Sequence, residues 1–208
     1  MPEPLNLAGL LLVAGALCGA AAASHPALYP VWSAPRDERL RIVGAHRLAW
    51  TMLNGGFVIA TLVTAGGLAA LAVAQADDAG LTAALAAVIV AYAVGGGLWC
   101  AVLAVRSLTT PALADLSARG ADTEPAETLL NAAQWALFGA YTLVTAVALV
   151  ALAIVLAIAG VVAIPVAIVA AVVAGIVLAA YLVTGDSVPA VLYLPTILIG
   201  IAVLAGWT

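Results

Sequence analysis

The chain has 208 residues, of which 66% are hydrophobic and only 8% are charged, and its net charge is −4. Ordinary soluble domains carry about 25% charged residues, so this composition excludes a water-soluble fold and predicts that lipid surrounds the chain. All six positive charges are arginines, and without lysine no retinal or pyridoxal phosphate Schiff base can form. The sequence has no basic tract, so nucleic acid is excluded as a partner.

Taken in chain order, six apolar runs are long enough to cross a bilayer, which requires about 20 residues in a helix. The fourth and fifth are nearly continuous, and Gly160 and Pro165 predict a tight turn between them. Without that turn the number of crossings is five. We therefore predict one all-α domain over 1–208, a polytopic membrane helix bundle of about six transmembrane helices. The runs cover 5–24, 48–75, 81–106, 130–158, 161–183 and 189–207.

The arginines predict the orientation of the chain. Four lie between the first and second helices and two lie at the connection between the third and fourth, namely Arg36, Arg39, Arg41, Arg47, Arg106 and Arg119. We expect a multi-pass protein of the cell (cytoplasmic) membrane, and the positive-inside rule places its arginine-bearing loops 25–47 and 107–129 in the cytoplasm and both termini outside. The bias toward Ala, Val, Gly and Arg, without lysine, is typical of a high-GC prokaryotic genome.

The second helix carries a polar and aromatic face. Ser33 to Glu38 has the pattern of a helix start, and we expect this helix to continue into the second span without a break. The face then points into the bundle, because polar groups in hydrocarbon need partners. At helical spacing its members are Arg39, Val43, His46, Trp50, Asn54, Phe57, Thr61 and Thr64.

The fourth helix has a matching sector, and the third enters the same leaflet with Trp99 and ends at Arg106. The sector comprises Asn131, Gln134, Trp135, Phe138, Tyr141, Thr142 and Thr145. Together these helices predict a polar, aromatic-lined cavity open to the cytoplasm. The candidate ligand-binding residues are His46, Trp50, Asn54, Trp99, Gln134, Trp135 and Tyr141.

The same residues also have simpler explanations, which stay open at this point. The tryptophans could belong to the aromatic belt at the membrane interface. Asn54 and Gln134 could bond each other across a helix pair, and His46 could contact lipid headgroups. Arg106 could be an anchor that extends to the interface.

The sequence lacks the residues that ion-coupled transport, metal binding and haem binding require. The predicted spans contain no deep ionisable group, which argues against ion-coupled transport, and His25 and His46 have no metal-binding or haem-binding spacing. We therefore expect no catalytic residue, metal or cofactor.

The leading hypothesis is a membrane protein that binds a hydrophobic or amphipathic ligand in the cytoplasmic leaflet, or a structural subunit. A membrane enzyme acting on a lipid- or quinone-like substrate through His46, and a passive channel or carrier, are the alternatives.

The expected partners are membrane lipids, a hydrophobic small molecule, and further copies or subunits of a membrane complex.

The chain resembles the six-helix membrane proteins of high-GC bacteria and haloarchaea. The features that it shares with them are a His25-Pro26 turn, the His46-Arg47-x-x-Trp50 start of the second helix, and Arg106 closing the third. Those proteins are known as domains of unknown function, so the resemblance implies a fold and no activity. The segment 61–65 also recurs as 142–146, by duplication or by chance.

Overall fold

The computed structural model describes residues 3–207, which are largely helical and include no β-strand. The α-helices are α1 Glu3–Ala23, α2 Arg36–Ala45, α3 Arg47–Ala74, α4 Ala79–Ala118, α5 Glu124–Ile158, α6 Ile164–Thr184 and α7 Leu194–Ala205. Two 3-10 segments, Pro26–Trp32 and Pro189–Tyr193, precede α2 and α7. The all-α helix bundle predicted from the composition is confirmed.

Five of the described helices, α1, α3, α4, α5 and α6, are long and apolar enough to cross a membrane. The last apolar segment, Pro189–Ala205, is shorter. Its far end returns to the α5–α6 turn, because the Ala163 amide donates a hydrogen bond to the Trp207 carbonyl at 2.8 Å. In that turn Gly160 has a φ of +66°, and Pro165 lies in the first turn of α6. The break expected between Gly160 and Pro165 is therefore present.

Six of the described helices pack in a closed ring. In chain order α1, α3, α4, α5, α6 and α7 each contact the next, and α7 packs back against α1. Small residues permit this closure, as is common where membrane helices approach closely. A Cβ atom on Gly200 of α7 would lie only 2.9 Å from the Gly9 carbonyl oxygen of α1.

The helix expected to run unbroken from Ser33 into the second span is instead interrupted at His46, whose φ and ψ are −124° and 42°. Leu40 of α2 is buried in a small cluster with Leu113 and Ala114 of α4. Packing on α4 thus redirects α2, and tertiary contacts override a local sequence that favours a continuous helix. The face calculated for one continuous helix therefore does not extend across His46.

The connection 107–129, expected as a loop, is mostly helical. The apolar run ends near Arg106, but α4 continues to Ala118 and α5 begins at Glu124. A helix of 40 residues is about 60 Å long, roughly twice the hydrocarbon thickness of a bilayer. The last turns of α4, the first turns of α5, and α2 thus form a polar layer. We call this part of the molecule, which holds all six arginines, the arginine-bearing end.

Candidate functional site

A cavity of about 610 Å³ opens between α3, α4 and α5 at the arginine-bearing end. This volume lies within the range of about 300–1,000 Å³ found for small-molecule sites. Its deepest wall, here called the aromatic floor, consists of Phe57, Trp99 and Phe138. Its polar mouth consists of Arg39, Arg106, Glu127, Asn131 and Gln134. Trp99 and Arg106 are seven positions apart on α4, so floor and mouth are separated by about 10 Å.

The aromatic floor is built around Trp99, which is 2% exposed. Tyr141 stacks on it from behind, with ring centroids 5.0 Å apart and planes inclined by 14°. Phe57 of α3 and Phe138 of α5 flank the indole at 5.9 Å and 5.7 Å. Such aromatic pairs contribute about 0.5–1.5 kcal/mol each beyond their buried area, so this wall is well ordered.

The two copies of the repeated segment occupy equivalent positions around this floor. Thr61 donates a hydrogen bond to the Phe57 carbonyl and Thr142 donates one to the Phe138 carbonyl, both at 2.9 Å. The second threonine of each copy packs on a helical glycine, Thr64 against Gly15 of α1 and Thr145 against Gly95 of α4. The α1–α3 pair and the α4–α5 pair therefore share a packing pattern as well as a sequence pattern.

Arg106 lies over a pair of neighbouring tryptophan rings at the polar mouth, whose centroids are 6.4 Å apart. Its guanidinium carbon is 5.2 Å from the Trp32 ring centroid and 5.1 Å from that of Trp50. The indole N–H of Trp50 donates to the Arg106 carbonyl at 3.1 Å, which fixes that ring against α4. Cation–π contacts of this kind stabilise a partly desolvated guanidinium.

Glu127 is the buried carboxylate of the polar mouth, with a side chain only 8% exposed. Arg36 Nε donates to its Oε2 at 2.6 Å, and Arg39 Nη2 donates to Oε1. Arg36 also donates to Thr123 Oγ1 at 2.5 Å. The hydrogen bond to Glu127 raises the pKa of Arg36 above its ordinary value. This carboxylate is therefore fully engaged by two cations from α2.

The structure brings four of the seven candidate ligand-binding residues together on the cavity wall: Trp50, Trp99, Gln134 and Trp135. Trp99 is enclosed by the bundle, so it is not a belt residue, whereas Trp135 is 50% exposed.

The other three candidates lie elsewhere. Tyr141 supports the floor from behind, and His46 is exposed at the helix break, away from the cavity. Asn54 is buried, and its amide donates to the Trp50 carbonyl at 2.7 Å rather than to Gln134. Its Oδ1 is buried and has no hydrogen-bond partner among the described residues.

Sequence reasoning did not assign several wall residues to the site. Trp32 enters from the first 3-10 segment, Glu127 from a helical turn expected to be loop, and 186–190 from the turn before α7. The position of residues 186–190 could have been predicted from the sequence, because a chain with six crossings has the turn before its last helix at the same end as the arginines. Arg106 was interpreted only as an anchor.

No protein-family model, curated protein or solved structure matches this chain. The class of the protein consequently rests on its own composition and geometry. Five long apolar helices in an all-helical bundle make it a polytopic α-helical membrane protein. The resemblance to six-helix domains of unknown function stays a prediction.

Proposed function

We propose that this protein resides in the cytoplasmic membrane and binds a hydrophobic or amphipathic ligand in the cavity of its arginine-bearing end. The cavity itself carries the proposal: about 610 Å³, with an aromatic floor and a polar mouth. A side chain-filled bundle, as expected of a purely structural subunit, would need no such space. The division into apolar and polar walls matches a molecule with an apolar body and a polar head.

The orientation of the chain in the membrane is inferred from the position of the arginine-bearing end. The six arginines lie at one end of the bundle, and the positive-inside rule predicts that this end is cytoplasmic. The contact between Ala163 and Trp207 brings the end of α7 to the opposite end of the bundle. Both observations support six crossings, both termini outside, and a ligand held in the cytoplasmic leaflet.

The alternatives have less support. An enzyme using His46 as acid or base requires that side chain to face the cavity, and it is exposed elsewhere. A channel requires polar groups along both leaflets. In the part of the chain that the structure describes, the buried polar side chains of α6 and α7 comprise Thr196 alone.

Tryptophan quenching by a brominated amphiphile tests the proposal. Of the five tryptophans, four line the cavity: Trp32, Trp50, Trp99 and Trp135. In detergent, 9,10-dibromostearyl alcohol should quench the protein in a saturable manner on top of a linear contribution from the micelle. Ala190→Phe introduces a ring into the cavity wall and should weaken the saturable component by about tenfold, which corresponds to about 1.4 kcal/mol.

The matched control is Ala180→Phe, which adds the same ring at an exposed position of α6. It should leave the saturable component unchanged. Quenching that is linear with concentration, and identical in the parent and both variants, would show that the cavity takes up no amphiphile.

A further inference from the structure

Arg106 is a partly buried cation with no anionic partner among residues 3–207. Its guanidinium takes part in none of the five salt bridges, which involve Arg36, Arg39, Arg41 and Arg47. Its contacts are the rings of Trp32 and Trp50, which lie about 5 Å from the guanidinium carbon. Nothing described in the protein neutralises this charge.

The remaining donors of Arg106 are suited to an oxyanion. Both rings lie on one side of the guanidinium, and its five N–H groups, which lie in the plane of the fork, donate to no acceptor among residues 3–207. That fork matches the two oxygens of a carboxylate or phosphate and binds them bidentately. The residue lines the cavity, so the unused edge can be reached from inside it.

The carboxylates of the cavity are not free to fill this role. Glu127 already accepts from Arg36 and Arg39. Asp186 is exposed at the rim, and its Oδ1 accepts from the Ser187 amide at 2.7 Å. Within the polar mouth, Glu127 is paired with Arg39, and Arg106 has no carboxylate partner of its own.

We propose that Arg106 binds the anionic headgroup, a carboxylate or a phosphate, of an amphipathic ligand whose hydrocarbon chain lies against the aromatic floor. This inference rests on the proposed function, since it names the ligand class of the same cavity. The spacing supports it, because a head at Arg106 leaves about 10 Å of apolar wall between Arg106 and Trp99 for the chain. Asn131 and Gln134 supply neutral donors beside the head.

A pair of brominated amphiphiles with the same chain and different heads tests the inference. In the parent protein, 9,10-dibromostearate at a pH where it is ionised should bind about tenfold more tightly than 9,10-dibromostearyl alcohol. Arg106→Gln should reduce acid binding to the level of the alcohol and leave alcohol binding within about twofold. Arg119→Gln removes one positive charge from the exposed C-cap residue that follows the same helix, and it should change neither affinity.

The outcomes separate the two proposals. If neither amphiphile gives saturable quenching in the parent protein, the proposed function fails. Saturable alcohol binding with no preference for the acid, or an acid preference that survives in Arg106→Gln, overturns the headgroup inference alone. If Arg106→Gln binds neither amphiphile, Arg106→Lys decides, because it retains the charge. It should bind both amphiphiles and keep part of the preference for the acid through its charge, and equal binding of acid and alcohol by this variant overturns the inference.

The source of the anion is resolved by two further arms. Brominated phosphatidylglycerol in place of the acid tests a membrane phosphodiester, and unlabelled inorganic phosphate as competitor tests a free oxyanion. Arg106-dependent quenching by the phospholipid, or Arg106-dependent displacement of dibromostearate by phosphate, each supports the shared oxyanion chemistry. If neither has an effect, the headgroup is a carboxylate, provided that dibromostearate itself binds through Arg106.

Discussion

Arg36 Nε lies 2.6 Å from Oε2 of Glu127, and this hydrogen bond joins α2 to α5 across 91 positions of the sequence. Arg39 holds the other carboxylate oxygen, so two successive turns of α2 are tied to one residue. Glu127 and Arg39 both line the cavity. The contact that holds α2 against the bundle is thus also part of the polar mouth.

Glu127→Gln should release α2. An amide retains the shape of the side chain but cannot neutralise two guanidinium groups, and it leaves them facing a partly buried site. We expect amide hydrogen exchange in 36–45 to accelerate by about tenfold or more, with smaller changes in the spans. Mass spectrometry of the detergent-solubilised protein measures this.

The control for that variant is Glu38→Gln. Glu38 pairs with Arg41 three positions away on the same helix, and both side chains are largely exposed. Exposed pairs of this kind contribute little to stability, so exchange in 36–45 should stay close to that of the parent. Equal acceleration in both variants would mean that α2 is not held by Glu127.

Closure of the helix ring depends on Gly200. A methyl group there would lie 2.9 Å from the Gly9 carbonyl oxygen, which is backbone and cannot move aside. Gly200→Ala should therefore lower the free energy of unfolding by about 1–3 kcal/mol. Gly175→Ala is the matched control, because a methyl group at Gly175 meets no atom within 4 Å. It should raise stability by about 0.5–1 kcal/mol through reduced freedom of the unfolded chain.

Chemical denaturation in detergent measures both glycine variants. If Gly200→Ala does not lower the free energy of unfolding relative to the parent, the contact between α1 and α7 does not depend on the absence of a side chain at Gly200.

The pair between Arg47 and Asp115 should give a small acid-dependent loss of stability. The hydrogen bonds from Arg47 lower the pKa of the Asp115 carboxyl. Because the folded-state pKa is depressed, this stabilisation is complete above the ordinary value of about 3.9 and is lost as the pH falls through the lowered value. The difference in thermal midpoint between the parent and Asp115→Asn should therefore disappear in acid.

Both side chains of that pair are nearly half exposed, at 48% and 43%, so salt should reduce the same difference at neutral pH. Asp77→Asn removes an exposed carboxylate in the α3–α4 turn and is the control. A midpoint difference for Asp115→Asn that persisted unchanged in acid and in high salt would exclude an ionic origin.

The course of the chain through the membrane was largely predictable, because hydrophobic length and Gly–Pro punctuation act locally. The turn containing Gly160 and Pro165 is an example. The break at His46 was not predictable, since it results from burial of Leu40 against α4 rather than from a signal in the local sequence. Glu127 was missed for a related reason: its partners lie on a helix about 90 positions earlier, and no sequence period connects them.

The aromatic part of the site was predictable and the cationic part was not. Trp50 and Phe138 fall on faces that helical spacing identifies, Trp99 was expected in the same leaflet, and the structure places all three on the cavity wall. The interaction of Arg106 with Trp32 requires the 3-10 segment to fold back over the bundle, which periodicity cannot show.

Cysteine accessibility tests the orientation and the number of crossings together. In a background lacking Cys18 and Cys100, single variants Asp77→Cys, Asp122→Cys and Trp207→Cys place one thiol each in the α3–α4 turn, the α4–α5 connection and the end of α7. We expect a membrane-impermeant maleimide added to intact cells to label positions 77 and 207 but not 122. Position 122 should become reactive only after permeabilisation, because we propose that the arginine-bearing end faces the cytoplasm.

Each failure of that pattern has a separate meaning. Labelling of 122 but not of 77 would invert the molecule and place the cavity on the outer side. Labelling of 77 but not of 207 would give five crossings, because the end of α7 would then lie with the arginines. That result would conflict with the hydrogen bond between Ala163 and Trp207, since 163 follows α5 at the end opposite Asp122. The measurement at 207 is therefore the direct test of whether Pro189–Ala205 crosses the membrane.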